Sequence, residues 1–334
     1  MNLVPATLAK SHLYALLPSV DEWLHDRMID PLVQTGRHQI VVHIIREVTA
    51  KIREQIAIGK LDTPKAVNQA VAQLPDAVLQ HVQSATEFSL RRVINATGVI
   101  LHTNLGRAPL AETALRHISN VTSRYCNLEF ELAGGGRGKR DVHVERFFSR
   151  LLNGASVTGI RTVVVNNCAA AVMLALNTLA QDGEVIVSRG ELVEIGGSLR
   201  VPDVMSKSGA TLREVGTTNR TRIEDYERAI RKETKLLLRV HRSNFSIIGF
   251  TEQPSLQELV ALGRKHDIPV MEDLGGGAMI PLSSLGIDET GVPDSLRAGI
   301  DVVTYSGDKM LGGPQAGIWD GTFYGASPWG DPLC

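Results

Sequence analysis

Between residues 161 and 306, short apolar runs alternate with stretches of helical period, and this alternation narrows the fold more than any other feature of the chain. RTVVVNN (161–167) predicts a buried strand, and CAAAVMLALNTLAQDG after it predicts a helix stopped by Gly183. EVIVS (184–188) and KLLLRVH (235–241) read as strands. SLQELVALGRKH (255–266) reads as a helix running into the strand IPVMED, and IDVVTYS (300–306) as one more strand. Such runs alternating with helices specify an α/β domain with a largely parallel sheet. In a sheet of that kind ligands gather beyond the carboxyl ends of the strands.

Residues 1–83 read differently. Apolar positions recur at helical spacing in VDEWLHDRMIDPLV and IVVHIIREVTAKIREQIAIG, interrupted at Pro31 and Gly59, and Thr63-Pro64 opens a further helix through Val71. Glycine is sparse before Gly98 and frequent after it, which places a domain boundary near residue 85. A chain of 334 residues, 43% hydrophobic, buries a full core without disulfides or metal. Cys126, Cys168 and Cys334 are widely spaced with no CxxC, as expected of reduced thiols in a cytosolic protein. The start of the chain lacks the pattern of a signal peptide, and no apolar run approaches the ~20 residues that cross a bilayer. A cytoplasmic protein with no membrane partner is the expectation. The net charge of −1 excludes wholesale electrostatic binding of nucleic acid, so any RNA contact must come from local clustering. RHQIVVHIIREVTAKIR (37–53) carries Arg37, Arg46, Lys51 and Arg53 against Glu47, and by itself reads as the solvated face of an amphipathic helix.

Chemistry concentrates at three strand ends. In SGDKMLGGPQAG (306–317) a strand ends at Ser306, Lys309 follows, and glycines let the backbone approach closely. A pyridoxal phosphate (PLP) enzyme needs a desolvated lysine in such a place, with a hydroxyl for the cofactor phosphate; a surface turn with an exposed lysine would look similar. In EDLGGG (272–277) Asp273 ends an apolar strand, a costly position for an unpaired carboxylate. It suits the protonated pyridine nitrogen of PLP, although a helix N-cap or a metal-binding aspartate also fits. NNCAAAV (166–172) joins a strand to a helix whose first turn is small, offering backbone N–H groups at Asn167, Cys168 and Ala169 to a phosphate. The order of the three parts describes a PLP site of the aminotransferase-like (fold type I) superfamily. Asn244 in VHRSNF (240–245) resembles the strand-end asparagine of cysteine desulfurases, which contacts the cofactor's phenolic oxygen. The GELVE loop (190–194) is the candidate to cover the ring's other face. Two glycine-flanked basic runs, RRVINATGVILHTNLGRAPL (91–110) and GGGRGKRDVHVE (134–145), lack helical period and suggest loops that fold over an anion. Salt bridges to Glu129, Glu131 or Asp141 are the structural alternative.

NATGVILHTNLGRAPL, GGRGKRDVHVE, SRGELVEIGG, PDVMSKSGATLREVGTTNRT and SGDKMLGGPQAG together resemble the bacterial selenocysteine synthase (L-seryl-tRNA(Sec) selenium transferase) family. The likeness runs from LPSVDEWL to Gly317. It implies conversion of seryl-tRNA(Sec) to selenocysteyl-tRNA(Sec) with selenophosphate, through an aminoacrylate, by a homo-oligomer (a ring of dimers) carrying PLP on Lys309. It further implies that residues 1–83 recognise the tRNA and that residues 84–318 form the PLP domain. The substrate's carboxyl is esterified, so no arginine is needed to clamp it, which leaves Arg92, Arg107, Arg137 and Arg140 for selenophosphate or the tRNA backbone. Against the family pattern, NNNAAA reads NNCAAA, VHTSNF reads VHRSNF, and the glycine loop after the aspartate reads GGG. After Ile318 the family continues into a C-terminal domain, whereas WDGTFYGASPWGDPLC (319–334) has no periodicity and reads as an aberrant tail. The competing readings are a PLP-dependent lyase acting on a small amino acid and an inactive truncated product.

Overall fold

The computed structural model describes residues 10–154, 157–195, 199–287 and 289–322, which divide into two compact units meeting at Ile94/Asn95. In the first unit, helix α1 (His38–Ala57) buries Val41, Ile44, Ile45, Val48, Ile52 and Ile56 along one stripe. That stripe packs against Leu74, Val78 and Val82 of α2 (Leu74–Thr86), with Leu13, Trp23 and Ile29 completing the core. Such burial, at about 1.5–3 kcal/mol per large side chain, is what holds a small helical unit together. Its short helices carry their own start signals: Ser19 and Glu22 form a capping box before Val20–Leu24, and Thr63 caps the start of Pro64–Ala72. Pro31 does not interrupt the chain as expected. It occupies the first turn of Asp30–Leu32, where a missing N–H is tolerated, and the break falls at Gly36, whose φ of 77° no β-branched residue adopts cheaply. Arg46, Lys51 and Arg53 lie on the exposed side of α1.

The second unit is built on a seven-stranded sheet: β1 (Arg161–Val165), β2 (Glu184–Ser188), β3 (Thr211–Val215), β4 (Thr234–Val240), β5 (Val270–Gly275), β6 (Val302–Ser306) and β7 (Gly317–Gly321). Their order is β1-β7-β6-β5-β4-β2-β3, parallel throughout except that β7 runs antiparallel to both its neighbours. Helices α3 (Glu112–Thr122) and α4 (Val142–Gly154) precede the sheet. Helices α5 (Cys168–Ala180), α6 (Val201–Ser208), α7 (Ile223–Ala229), α8 (Leu256–His266) and α9 (Val292–Arg297) connect or flank its strands. Successive strand residues point to opposite faces. Ile186, Leu237 and Val303 therefore meet Leu259, Val260 and Leu296 on one side, while Val185, Leu236, Leu238 and Val302 meet Val172, Leu176 and Met205 on the other. A sheet covered on both faces explains strands that are apolar throughout rather than alternating.

Two strands escaped the pattern. TLREV is an edge strand and partly exposed, so it carries no apolar run. GIWDG is buried at all five positions, and its pairing with β1 and β6 corrects the boundary drawn after Ile318: Trp319, Asp320 and Gly321 belong to the sheet. Its flanking glycines and its aspartate hide the apolar signal, and each has a packing cause. A Cβ on Gly317 would stand 2.0 Å from the Asn167 carbonyl oxygen, and one on Gly321 2.7 Å from that of Asp301. Asp320 is held by Thr162 and Tyr305. The rest of the expected tail, 323–334, lies outside the described residues. Among the described residues no helix is long and apolar enough to cross a membrane.

Candidate active site

A pocket of about 280 Å³ opens at the carboxyl ends of β4, β5 and β6 and the start of α5. Asp273 sits in it because β5 carries it past the apolar Val270 and Met271 to the strand's end, still only 6% exposed. Thr304, its register partner on β6, donates to Oδ1 at 3.1 Å, and the Cys168 thiol donates to the same oxygen at 3.5 Å. Burial pushes the Asp273 carboxyl above its ordinary range, with the charges of Lys309 and His241 working against that rise. A carboxylate so incompletely compensated favours a cationic partner in the pocket.

Lys309 supplies the amine. The chain leaves β6 at Ser306 and turns tightly, with Gly307 N–H donating to the Ala316 carbonyl at 2.9 Å and Met310 N–H to that of Gly276 at 3.2 Å. These bonds return the loop to the end of β5, where the position of a Cβ on Gly275 would be 3.8 Å from Lys309 Nζ. The lysine is half-buried, not the exposed residue of a surface turn. Ser306, buried, faces the same pocket.

The start of α5 forms another wall. Asn167 Oδ1 accepts from Ala170 N–H at 2.9 Å, while Cys168 and Ala169 line the pocket. Small residues here, with Gly317 packed against the Asn167 backbone, leave the helix terminus open to an anion. The Cys168 thiol is pushed well up by burial and by Asp273, and so stays protonated.

Of the four arginines, Arg107 lines the pocket. It adopts φ of 60°, and its Nη1 lies 2.5 Å from Asp308 Oδ2. Arg107 Nε and Asp308 Oδ1 are buried without a hydrogen-bond partner among the described residues, which suits contact with a polar ligand. Arg137 and Arg140 both pair with Glu129, at 85% and 70% side-chain exposure, beside a separate hollow along β1. Arg92 is exposed in the first unit. Asn244 is exposed, does not line the pocket, and donates from Nδ2 to the Glu194 carbonyl at 3.0 Å. No residue of 190–194 lines the pocket either: Glu191 is buried, ion-paired with Arg239 at 3.2 Å and accepting from Val240 N–H. Three residues that sequence reasoning did not single out belong to the site, namely Thr304, Asp308 and His241. A threonine within the apolar run VVTYS was the available sign of the first. His241 stands directly after β4, where a strand-end rule points.

These groups fit PLP: Asp273 for the pyridine nitrogen, Lys309 for the aldehyde carbon, and Ser306 with the start of α5 for the phosphate. The family model for L-seryl-tRNA selenium transferase matches residues 93–322. The chain is 49% identical over 310 residues to the L-seryl-tRNA(Sec) selenium transferase of Caldanaerobacter subterraneus subsp. tengcongensis, covering 92% of this chain and 64% of that one. It is 47% identical over 322 residues to that of Geobacter sulfurreducens, covering 96% and 67%. It thus spans about two thirds of the length of these curated relatives. Among solved structures, D-glucosaminate-6-phosphate ammonia-lyase superposes with a TM-score of 0.53 at 19% identity, covering 72% of this chain and 60% of that one, a likeness of fold. The strand order and that likeness make the second unit a fold type I, aminotransferase-like domain, and fold and family together imply PLP. This chain belongs to the L-seryl-tRNA selenium transferase family.

Proposed function

We propose that this chain converts seryl-tRNA(Sec) to selenocysteyl-tRNA(Sec) with selenophosphate, using PLP held by Lys309. The observation that carries this reading is the buried Asp273 beside Lys309 in a pocket at the strand ends, in a member of the selenium transferase family. When bound, PLP supplies an electron sink for the pair left by the Cα proton. Asp273 keeps the pyridine nitrogen protonated, and Thr304 and Cys168 hold the carboxylate in place. Lys309 takes the Cα proton from the seryl group and returns one after selenium has added. Ser306 and the α5 terminus anchor the phosphate, so that the lysine and aspartate act on a fixed ring. Asn244 is proposed as a cofactor ligand, which requires it to leave the Glu194 carbonyl.

Arg107, oriented by Asp308, is proposed to bind selenophosphate, and its unpartnered Nε supports that role. Arg92, Arg137 and Arg140 are proposed for selenophosphate or the tRNA backbone, and the first unit for tRNA recognition, with Arg46, Lys51 and Arg53 on the exposed side of α1. A cytoplasmic homo-oligomer of dimers completes the proposal. It is supported by the many large apolar side chains exposed between Phe88 and Leu151, among them Leu115, Ile118, Phe130 and Phe147.

The test is a single-turnover reaction of the PLP-loaded protein with seryl-tRNA(Sec) and selenophosphate, followed by release and detection of the amino acid. Selenocysteine is expected from the wild type and none from Lys309→Ala. A loaded wild type that eliminates from a free small amino acid, yet leaves seryl-tRNA(Sec) untouched, sinks the reading in favour of a lyase.

A further inference from the structure

His241 and Glu289, which pairs with it from outside the pocket lining, have no task in the proposed reaction. His241 lines the pocket with Asp273 and Lys309. Its Nε2 lies 3.3 Å from Oε1 of Glu289, and the two side chains are only 24% and 17% exposed. Its backbone N–H donates to the Asp273 carbonyl at 2.9 Å, which ties the residue to the end of β5. Glu289 packs against Gly276, where a Cβ would stand 2.9 Å from its Oε1, so the glycine makes room for the carboxylate. A carboxylate on one imidazole nitrogen fixes the ring's orientation and tautomer. Among the described residues, no hydrogen bond occupies the other nitrogen, Nδ1. The surrounding charges are those of Asp273 and Glu272 on β5, which feel the histidine, and of Lys309 and the Arg107–Asp308 pair across the pocket.

Resting on the proposed function, we infer that His241, oriented by Glu289, is the acid that protonates the departing seryl hydroxyl. Hydroxide leaves poorly and water leaves well, so the step needs a proton donor near Cβ. Lys309 is engaged as the base, and the Cys168 thiol already donates to Asp273. In the step, Lys309 removes the Cα proton, and the electron pair left behind ends in the Cα–Cβ double bond. The imidazolium gives its Nδ1 proton to the β-oxygen, the Cβ–O bond breaks with its pair on oxygen, and water departs. Lys309 has then gained the proton that His241 lost, so the pocket's charge is unchanged.

The experiment compares two leaving groups on the PLP-loaded protein: the hydroxyl of seryl-tRNA(Sec) and the chloride of β-chloroalanyl-tRNA(Sec), which leaves without a proton. His241→Gln is expected to slow hydroxyl loss about 10²–10⁴-fold, the usual worth of a general acid. Chloride loss and Cα hydrogen exchange in D₂O stay within roughly threefold of wild type, and so does the Kd for PLP measured on cofactor-free protein. Glu289→Gln, which leaves the histidine in place, shows the same selectivity with a smaller loss, and keeps the test available if His241→Gln does not fold. Equal slowing of both leaving groups, or no slowing of hydroxyl loss, overturns the role of His241. A wild type that exchanges no Cα hydrogen overturns the function on which that role rests.

Discussion

Asp320 gives the most quantitative test of the sheet. It lies in β7, 0% exposed, accepting from Thr162 Oγ1 at 2.6 Å and from Tyr305 Oη at 2.5 Å. Both donors favour the carboxylate, but burial outweighs them and pushes its pKa from 3.8 up to about 6. A folded-state pKa above the unfolded value means that the folded chain holds the proton more tightly. The stabilisation is therefore fully present below the unfolded pKa and is lost as pH rises through about 6. A rise from 3.8 to about 6 corresponds to roughly 3 kcal/mol at its limit. Linkage divides the loss unevenly, with about 0.6 kcal/mol gone at pH 4 and about 3 kcal/mol at pH 8. Asp320→Asn removes the titration while keeping both contacts, since the amide oxygen accepts from Thr162 and the amide nitrogen donates to Tyr305. Urea unfolding of both proteins at several pH values from 4 to 8 measures the effect. The stability of Asp320→Asn relative to wild type is expected to climb by roughly 2–3 kcal/mol across that range. Glu191, Glu272 and Asp273 also have raised values, but they are present in both proteins and cancel in the difference. A difference that stays flat with pH, or falls, refutes the reasoning.

Other outcomes follow from the same contacts. Gly317→Ala places a Cβ 2.0 Å from a backbone oxygen that cannot swing aside, so it costs about 3 kcal/mol and weakens PLP binding through the displaced α5 terminus; melting and PLP titration check both. Thr304→Val removes a donor to Asp273 without changing volume much, and is expected to lower PLP affinity about tenfold, roughly 1.4 kcal/mol, by equilibrium titration. Charge reversal of Arg137 or Arg140 is expected to slow selenium transfer while leaving PLP affinity within about threefold, because both side chains pair with Glu129 away from the pocket. Full selenium transfer by both variants removes these arginines from the reaction.

The sheet's centre was legible because strands covered on both faces carry unbroken apolar runs, as Val185–Val187 and Leu236–Leu238 do. The helix boundaries were legible where side chains cap them, as at Thr63 and Ser255. The edge strand TLREV and the glycine-bounded GIWDG were not, since one has no buried run and the other owes its residues to contacts made far along the chain. Site chemistry followed the same divide. Lys309 and Asp273 announced themselves by polarity at the ends of apolar runs. Thr304, Asp308 and the His241–Glu289 pair depend on register, on a bond to Arg107 two hundred residues earlier in the chain, and on the space above Gly276, none of which a linear pattern encodes.

The proposed reaction requires that Lys309 hold PLP beside Asp273 and release it to seryl-tRNA(Sec). The most direct measurement is the visible absorbance of the PLP-loaded protein, wild type against Lys309→Ala, before and after seryl-tRNA(Sec) is added. A band is expected in the wild type that is lost in Lys309→Ala and shifts when the charged tRNA binds. A band of equal intensity in both proteins, or a wild-type band indifferent to seryl-tRNA(Sec), contradicts that requirement.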